Sequence, residues 1–221
     1  TTKRTWIFAL LAAALTVTLA SSNLVLGKGK PGGGNPPPTP PLEFNVTLLP
    51  DTFGILRVSK MNNDGDIVGF SNADGQLAET KRPFVYSAAS GALVDLNDLL
   101  AVDTDWVLME ARDINDSGQI VGWGYIGDDE EKHAYRFTPS SDGIQPGNVE
   151  DIGTAAPDHV ASDAYAINNL GDVALRILPV DGTVYVGVWQ EGVDEDDPPT
   201  LTDIGIGSAF PHAMNDGGQI A

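Results

Sequence analysis

Met61-Asn62-Asn63-Asp64-Gly65-Asp66-Ile67-Val68-Gly69 occurs in this chain four times with small changes. The other copies are Ile114-Asn115-Asp116-Ser117-Gly118-Gln119-Ile120-Val121-Gly122, Ile167-Asn168-Asn169-Leu170-Gly171-Asp172-Val173-Ala174 and Met214-Asn215-Asp216-Gly217-Gly218-Gln219-Ile220-Ala221. Their first residues are 53, 53 and 47 positions apart, a period that belongs to repeat architectures. Each copy reads as a hairpin turn between two strands. The side chain of Asn62, Asn115, Asn168 or Asn215 starts the turn, and Gly65, Gly118, Gly171 and Gly218, three residues on, take positive φ without a Cβ penalty. Gly69 and Gly122, which end two of the copies, suit a bulge or a closely approaching backbone.

Two further strand-like words follow each turn. The first is Pro83-Phe84-Val85-Tyr86-Ser87, His133-Ala134-Tyr135-Arg136-Phe137-Thr138 and Val186-Gly187-Val188-Trp189-Gln190. The second is Leu93-Val94-Asp95-Leu96, Val149-Glu150-Asp151-Ile152-Gly153 and Leu201-Thr202-Asp203-Ile204-Gly205. With the two arms of the hairpin this makes four short antiparallel strands per period, the content of one propeller blade. No window beyond the N-terminal segment keeps a helical period, so the expected fold is all-β, a propeller-like array of about 3.3 repeats.

The chain is expected to divide into a secretory signal peptide at 1–26, a linker at 27–42 and the repeat domain at 43–221. Lys3 and Arg4 precede an apolar run from Trp6 to Leu15, shorter than the ~20 residues of a membrane span, and small residues follow it. An uncleaved anchor held by Lys28 and Lys30 is the alternative reading. Gly27 to Pro41 is a Gly- and Pro-rich tether with nothing apolar to bury. The chain opens on Thr1 and stops inside the fourth hairpin, and three periods do not close a ring of four to eight blades, so a fragment of a larger propeller is expected. Phe44-Asn45-Val46-Thr47-Leu48-Leu49 is then the outermost strand of the closing blade.

Charge is partitioned. Four of the twelve basic residues precede Glu43 while all 31 acids lie at or after it, which gives the repeat region a formal charge of −23. That field repels nucleic acid and anionic membrane. The chain has no cysteine, hence no disulfide framework, as a stacked repeat protein can afford.

These residues resemble the HAF-repeat family of bacterial extracellular proteins. The resemblance rests on Ala111-Arg112-Asp113-Ile114-Asn115-Asp116-Ser117-Gly118-Gln119-Ile120-Val121-Gly122, on His133-Ala134-Tyr135 for the family's His-Ala-Phe, and on Val149-Glu150-Asp151-Ile152-Gly153 for its Asp-Leu-Gly word. It covers about Phe44 to Ala221; the first repeat has Arg82-Pro83-Phe84 and the third Tyr185-Val186-Gly187 near the same position. The resemblance implies secretion and a repeat fold, and it carries no catalytic residue over.

The residues themselves offer few chemical motifs. Asn62, Asp64 and Asp66, and Asp113 with Asn115, echo the spaced oxygens of calcium loops. The echo lacks the closing acid, since Ser71 and Gly124 stand at its places, and a turn accounts for all four copies. Asp128-Asp129-Glu130-Glu131 and Asp194-Glu195-Asp196-Asp197 read as solvated tips, and His133, His159 and His212 are too scattered for a zinc site. Trp123, Tyr125, Trp106 and Trp189 suit sugar stacking, but Trp189 shares a repeated core slot with Tyr86 and Phe137. No Gly-rich phosphate loop is present.

The expected function is therefore that of a secreted or surface-tethered, non-catalytic monomer that binds an extracellular protein or glycan, without a cofactor. The alternatives are a hydrolase or lyase with acids at a channel mouth and a calcium-stabilised adhesion module.

Overall fold

The computed structural model describes residues 49, 55–72, 81–128, 131–141, 145–153, 159–192, 197–205, 207 and 209–221. The signal segment, the linker, the strand expected at 44–49 apart from Leu49, and the acidic tips at 129–130 and 193–196 lie outside them.

Among the described residues twelve strands form three four-stranded antiparallel sheets, each in chain order. The first holds β1 (Ile55–Met61), β2 (Ile67–Asn72), β3 (Lys81–Tyr86) and β4 (Leu93–Asp95). The second holds β5 (Trp106–Ile114), β6 (Ile120–Ile126), β7 (His133–Pro139) and β8 (Gly147–Asp151), and the third β9 (His159–Ile167), β10 (Val173–Pro179), β11 (Tyr185–Gln190) and β12 (Thr200–Asp203). In the fourth copy Met214 bridges Ile220 across the turn.

The turn of every copy is built alike. Gly65, Gly118, Gly171 and Gly218 have φ of 85°, 75°, 87° and 73°. The N–H of each donates to the carbonyl of the Asn three residues earlier at 3.0–3.2 Å. This is the three-residue hairpin loop that ends in a left-handed residue. Strand edges differ from expectation in two places. The word at Leu93 stops at Asp95, because the Asp95 carboxylate accepts the Asn97 N–H and turns Leu96–Leu99 into a 3-10 helix with Leu96 and Leu99 buried. Trp106, outside the repeated words, opens β5.

Each first strand carries an extra residue three positions ahead of its turn Asn. The register skips Ser59 in β1, Arg112 in β5 and Tyr165 in β9. Opposite each bulge the sheets solve one packing problem in two ways. Gly69 faces Phe84 and Gly122 faces Tyr135, whereas in the third sheet Leu175 faces Gly187. A Cβ on Gly122 would run into the Glu110 carbonyl oxygen and lie 2.9 Å from the Tyr135 hydroxyl, which itself donates to that carbonyl.

The core lies between sheets. β5 packs on β2 and β3, β9 packs on β6 and β7, and β1, β5 and β9 are neighbours. Val68, Val85, Leu96 and Leu99 meet Leu108, Ile114, Ile120 and Phe137 in one cluster; Val121, Ala134 and Ile152 meet Ile167, Val173, Leu175 and Trp189 in the next. Tyr86, Phe137 and Trp189 hold equivalent register positions and all are buried.

Because a Cβ on Gly122 would meet both the Glu110 carbonyl and the Tyr135 hydroxyl bonded to it, Gly122→Ala should cost about 1–3 kcal/mol. Urea midpoints of the two proteins measure it. An unchanged midpoint would mean that β5 yields freely at this point.

Candidate functional site

The turns form the first polar constellation. In each, the Asn Oδ1 accepts the backbone N–H four residues on, from Asp66, Gln119, Asp172 and Gln219, at 2.9 Å. The Nδ2 end reaches across to the next unit: Asn62 donates to the Asn115 carbonyl at 3.3 Å, Asn115 to that of Asn168 at 3.1 Å, and Asn168 to that of Asn215 at 3.4 Å. One residue on, a second row runs the same way. The N–H of Asn63 donates to Asp116 Oδ1, that of Asp116 to Asn169 Oδ1 and that of Asn169 to Asp216 Oδ1. Asp116 Oδ2 also takes the amides of Asn63 and Asn169, at 2.7 and 3.0 Å. The donated Asn63 N–H, above all, holds the Asp116 carboxyl below its usual range. A shallow cavity of about 160 Å³ opens at this row, with Lys60, Asp113 and Asp216 at its wall.

The oxygens named as calcium ligands are used by the chain itself. Those of Asn62 and Asn115 close their turns, Asp66 Oδ1 accepts the Ala88 N–H, and Asp113 accepts Ile114 and Ile167 N–H groups with its two oxygens. Burial, only in part offset by these bonds, pushes the Asp113 carboxyl up. Asp64 stands exposed at the turn. Among the described residues no group of three or more His, Asp or Glu is set to hold a metal ion.

The second constellation lies along β5 and β9. Glu110 pairs with Lys81 of the preceding sheet and, at 3.0 Å, with the Arg112 Nε; Asp163 faces the Arg112 Nη2 at 3.7 Å and Lys132 of the preceding sheet at 3.6 Å. Lys81 and Lys132 occupy equivalent positions one residue ahead of the cross-strand partners Arg82 and His133, as do Glu110 and Asp163, 53 residues apart. At the next step both partners change, to Val184 and Phe210. Aromatic rings cover the cations: Lys132 lies 4.2 Å from the Trp123 ring centre, Arg112 4.0 Å from Tyr165 and Arg176 5.1 Å from Phe210. Tyr165 in turn meets Phe210 and His212 edge-on. Burial alone would raise the Glu110 carboxyl, yet Lys81 and Arg112 outweigh it and hold the group below its usual range.

The sequence motifs fall into structural roles around these sites. The His-Ala-Phe and Asp-Leu-Gly words meet across β3 and β4 and their equivalents. Arg82 Nε pairs with Asp95 and His133 Nδ1 with Asp151, both at 2.9 Å, while Tyr185 lies near Asp203. The same aspartates accept the N–H two residues on, from Asn97, Gly153 and Gly205. Trp123 is buried with Tyr125 edge-on against it at 5.5 Å, and Trp106 meets His133 and Tyr135 edge-on. Sequence reasoning missed Lys81, Glu110, Arg112, Lys132 and Asp163. The recurrence of Lys and acid at the repeat step was the signal that would have found them.

Comparison with known protein families, with curated proteins and with solved structures finds no match for this chain.

Asn115→Asp keeps the acceptor and replaces the inter-sheet donor by an oxygen facing the Asn168 carbonyl. It should cost about 1–3 kcal/mol, against a few tenths for Asn215→Asp, whose side chain is exposed. Thermal melts of the two variants decide, and equal losses would show that Nδ2 matters only inside its own turn. The depressed Glu110 carboxyl stabilises the fold above its ordinary value near 4.5, and this stabilisation is lost as pH falls through the lower folded value. The stability gap between the parent and Glu110→Gln should therefore shrink on acidification below about 4.5; a gap constant from neutral pH to strong acid would contradict the ion pairing.

Proposed function

We propose that this chain is a secreted, non-catalytic binding scaffold of the HAF-repeat type, built as a propeller-like array and acting as a monomer on an extracellular protein or glycan. Three repeated four-stranded antiparallel sheets with neighbouring first strands support the propeller arrangement, in which β1, β5 and β9 line the centre. The charged N-terminus followed by a short apolar run supports secretion. Among the described residues no helix is long and apolar enough to cross a membrane.

One observation carries the non-catalytic reading: Glu110 and Asp163, the carboxylates that approach each other through Arg112, are both tied to cations. A glycoside hydrolase needs one carboxyl with a raised pKa as proton donor beside an ionised one. Glu110 is shifted the other way, toward the ionised form. Such a pair suits a rigid surface, and the turn row likewise spends its polar atoms on holding sheets together. The exposed acids, Asp64 and Asp116 among them, are left to contact a partner.

The full chain should release no product from a panel of acidic and neutral polysaccharides while binding members of a glycan and protein panel. Turnover that disappears in both Glu110→Gln and Asp163→Asn would replace this reading with the hydrolase or lyase one.

A further inference from the structure

The crevices between successive units follow one pattern, and the third breaks it. In the first, the Lys81 ammonium lies 5.0 Å from the Phe70 ring centre and pairs with Glu110 of the next unit. In the second, the Lys132 ammonium lies 4.2 Å from the Trp123 ring centre and 3.6 Å from Asp163 of the next unit. Strand register puts Arg176 of β10 in the place of Phe70 and Trp123, since Pro83, Ala134 and Val186 stand opposite the three. Val184 takes the place of the lysine and Phe210 that of the acid. Cation and ring have exchanged sides, Arg176 now lying 5.1 Å from the Phe210 ring centre, and the carboxylate has gone.

Arg176 is thereby left without an acid. Among the described residues it has no ion pair and no hydrogen bond; its Nε is buried, while its two amino groups are not. Asp163, across the ladder from it, faces Arg112 and Lys132 instead. The rings beside it are open. Phe210 is 50% exposed and His212 is exposed, and the two stack at 30° with centres 6.3 Å apart. Tyr165 closes the group, edge-on to both.

We propose that this third crevice binds a sugar that carries one carboxylate, a uronate residue of a glycan, with the carboxylate on the amino groups of Arg176 and the ring against Phe210 and His212. The inference rests on the binding reading above for its glycan and deepens it by naming the class; turnover on Glu110 and Asp163 would leave it standing. The two amino groups of a guanidinium present parallel N–H donors that match a carboxylate. Flat, exposed rings next to them suit the apolar face of a pyranose. A formal charge of −23 over the repeat region opposes a polyanion, so an isolated carboxylate fits better than a polyuronate or an acidic peptide run. An acidic side chain, having no ring, would leave the aromatic pair unused.

The test adds methyl glucuronide, methyl glucoside and capped aspartate to the full chain and obtains each Kd from saturation-transfer NMR titrations. The glucuronide should bind, and the glucoside, which differs only in lacking the carboxylate, should bind roughly three- to tenfold more weakly, as should the aspartate. Arg176→Phe, a residue that Phe70 shows this position accepts, should bring the two sugars to equal affinity. Phe210→Ala, at an exposed side chain, should weaken both sugars roughly two- to tenfold while keeping their ratio, and keeps the test decisive if the first variant does not fold. No binding of the glucuronide, equal binding of the glucoside, an unchanged preference in a folded Arg176→Phe or an unchanged affinity in Phe210→Ala overturns the proposal. Capped aspartate bound as tightly as the glucuronide overturns it in favour of an acidic peptide. A chain that binds other glycans or proteins but no uronide overturns this inference alone and leaves the scaffold reading in place.

Discussion

A single carboxamide with one acceptor end and one donor end is the constraint on which this structure depends. The Oδ1 of Asn115 closes its own hairpin by taking the Gln119 N–H, and its Nδ2 crosses to the Asn168 carbonyl of the following sheet. The same group thus fixes local backbone geometry and the docking of a neighbour. Each such bond contributes only about 1 kcal/mol net, but a broken one strands a buried carbonyl, and that penalty is what gives the arrangement its specificity. Everything else is positioned from there. The bulge three residues upstream, the Gly pressed on a carbonyl and the aromatic beneath it keep their register relative to this turn.

The turns, the four strands per period and the buried aromatic series were legible because each depends on neighbours in sequence. Asn and Gly at a three-residue spacing write a hairpin, and Tyr86, Phe137 and Trp189 recur at one phase of the repeat. The contacts between units were not legible. That Asp116 answers both Asn63 and Asn169 follows from how successive sheets rotate, which no local pattern encodes. Arg112 and Tyr165 illustrate the same point: a bulge turns each out of the alternation that their neighbours obey, so reading every second residue misplaces them. Leu96 was read as strand because its burial is shared by strands and by the capped 3-10 helix that it enters.

Where the repeats diverge, they diverge in matched sets. Gly opposite an aromatic becomes Leu175 opposite Gly187, which conserves the volume between two strands. Lys with an acid becomes Val184 with Phe210, so neither charge is left behind without its partner. Arg176 departs from the series, a cation gained without an acid. A side chain at an interface between units is held to account by residues of the next unit, and single changes there leave a hole or a lone charge.

The turn row also has a direction: Asn62, Asn115 and Asn168 give their amides forward, and Asn115, Asn168 and Asn215 receive one at the carbonyl from behind. A gene segment of 53 codons therefore encodes both halves of the joint. A tandem copy made by unequal recombination would arrive with its asparagine already able to receive from the unit before it and to give to the unit after it. The asparagine joint makes lengthening the array an easy evolutionary step, and leaves divergence of the crevices as the route by which copies acquire separate uses.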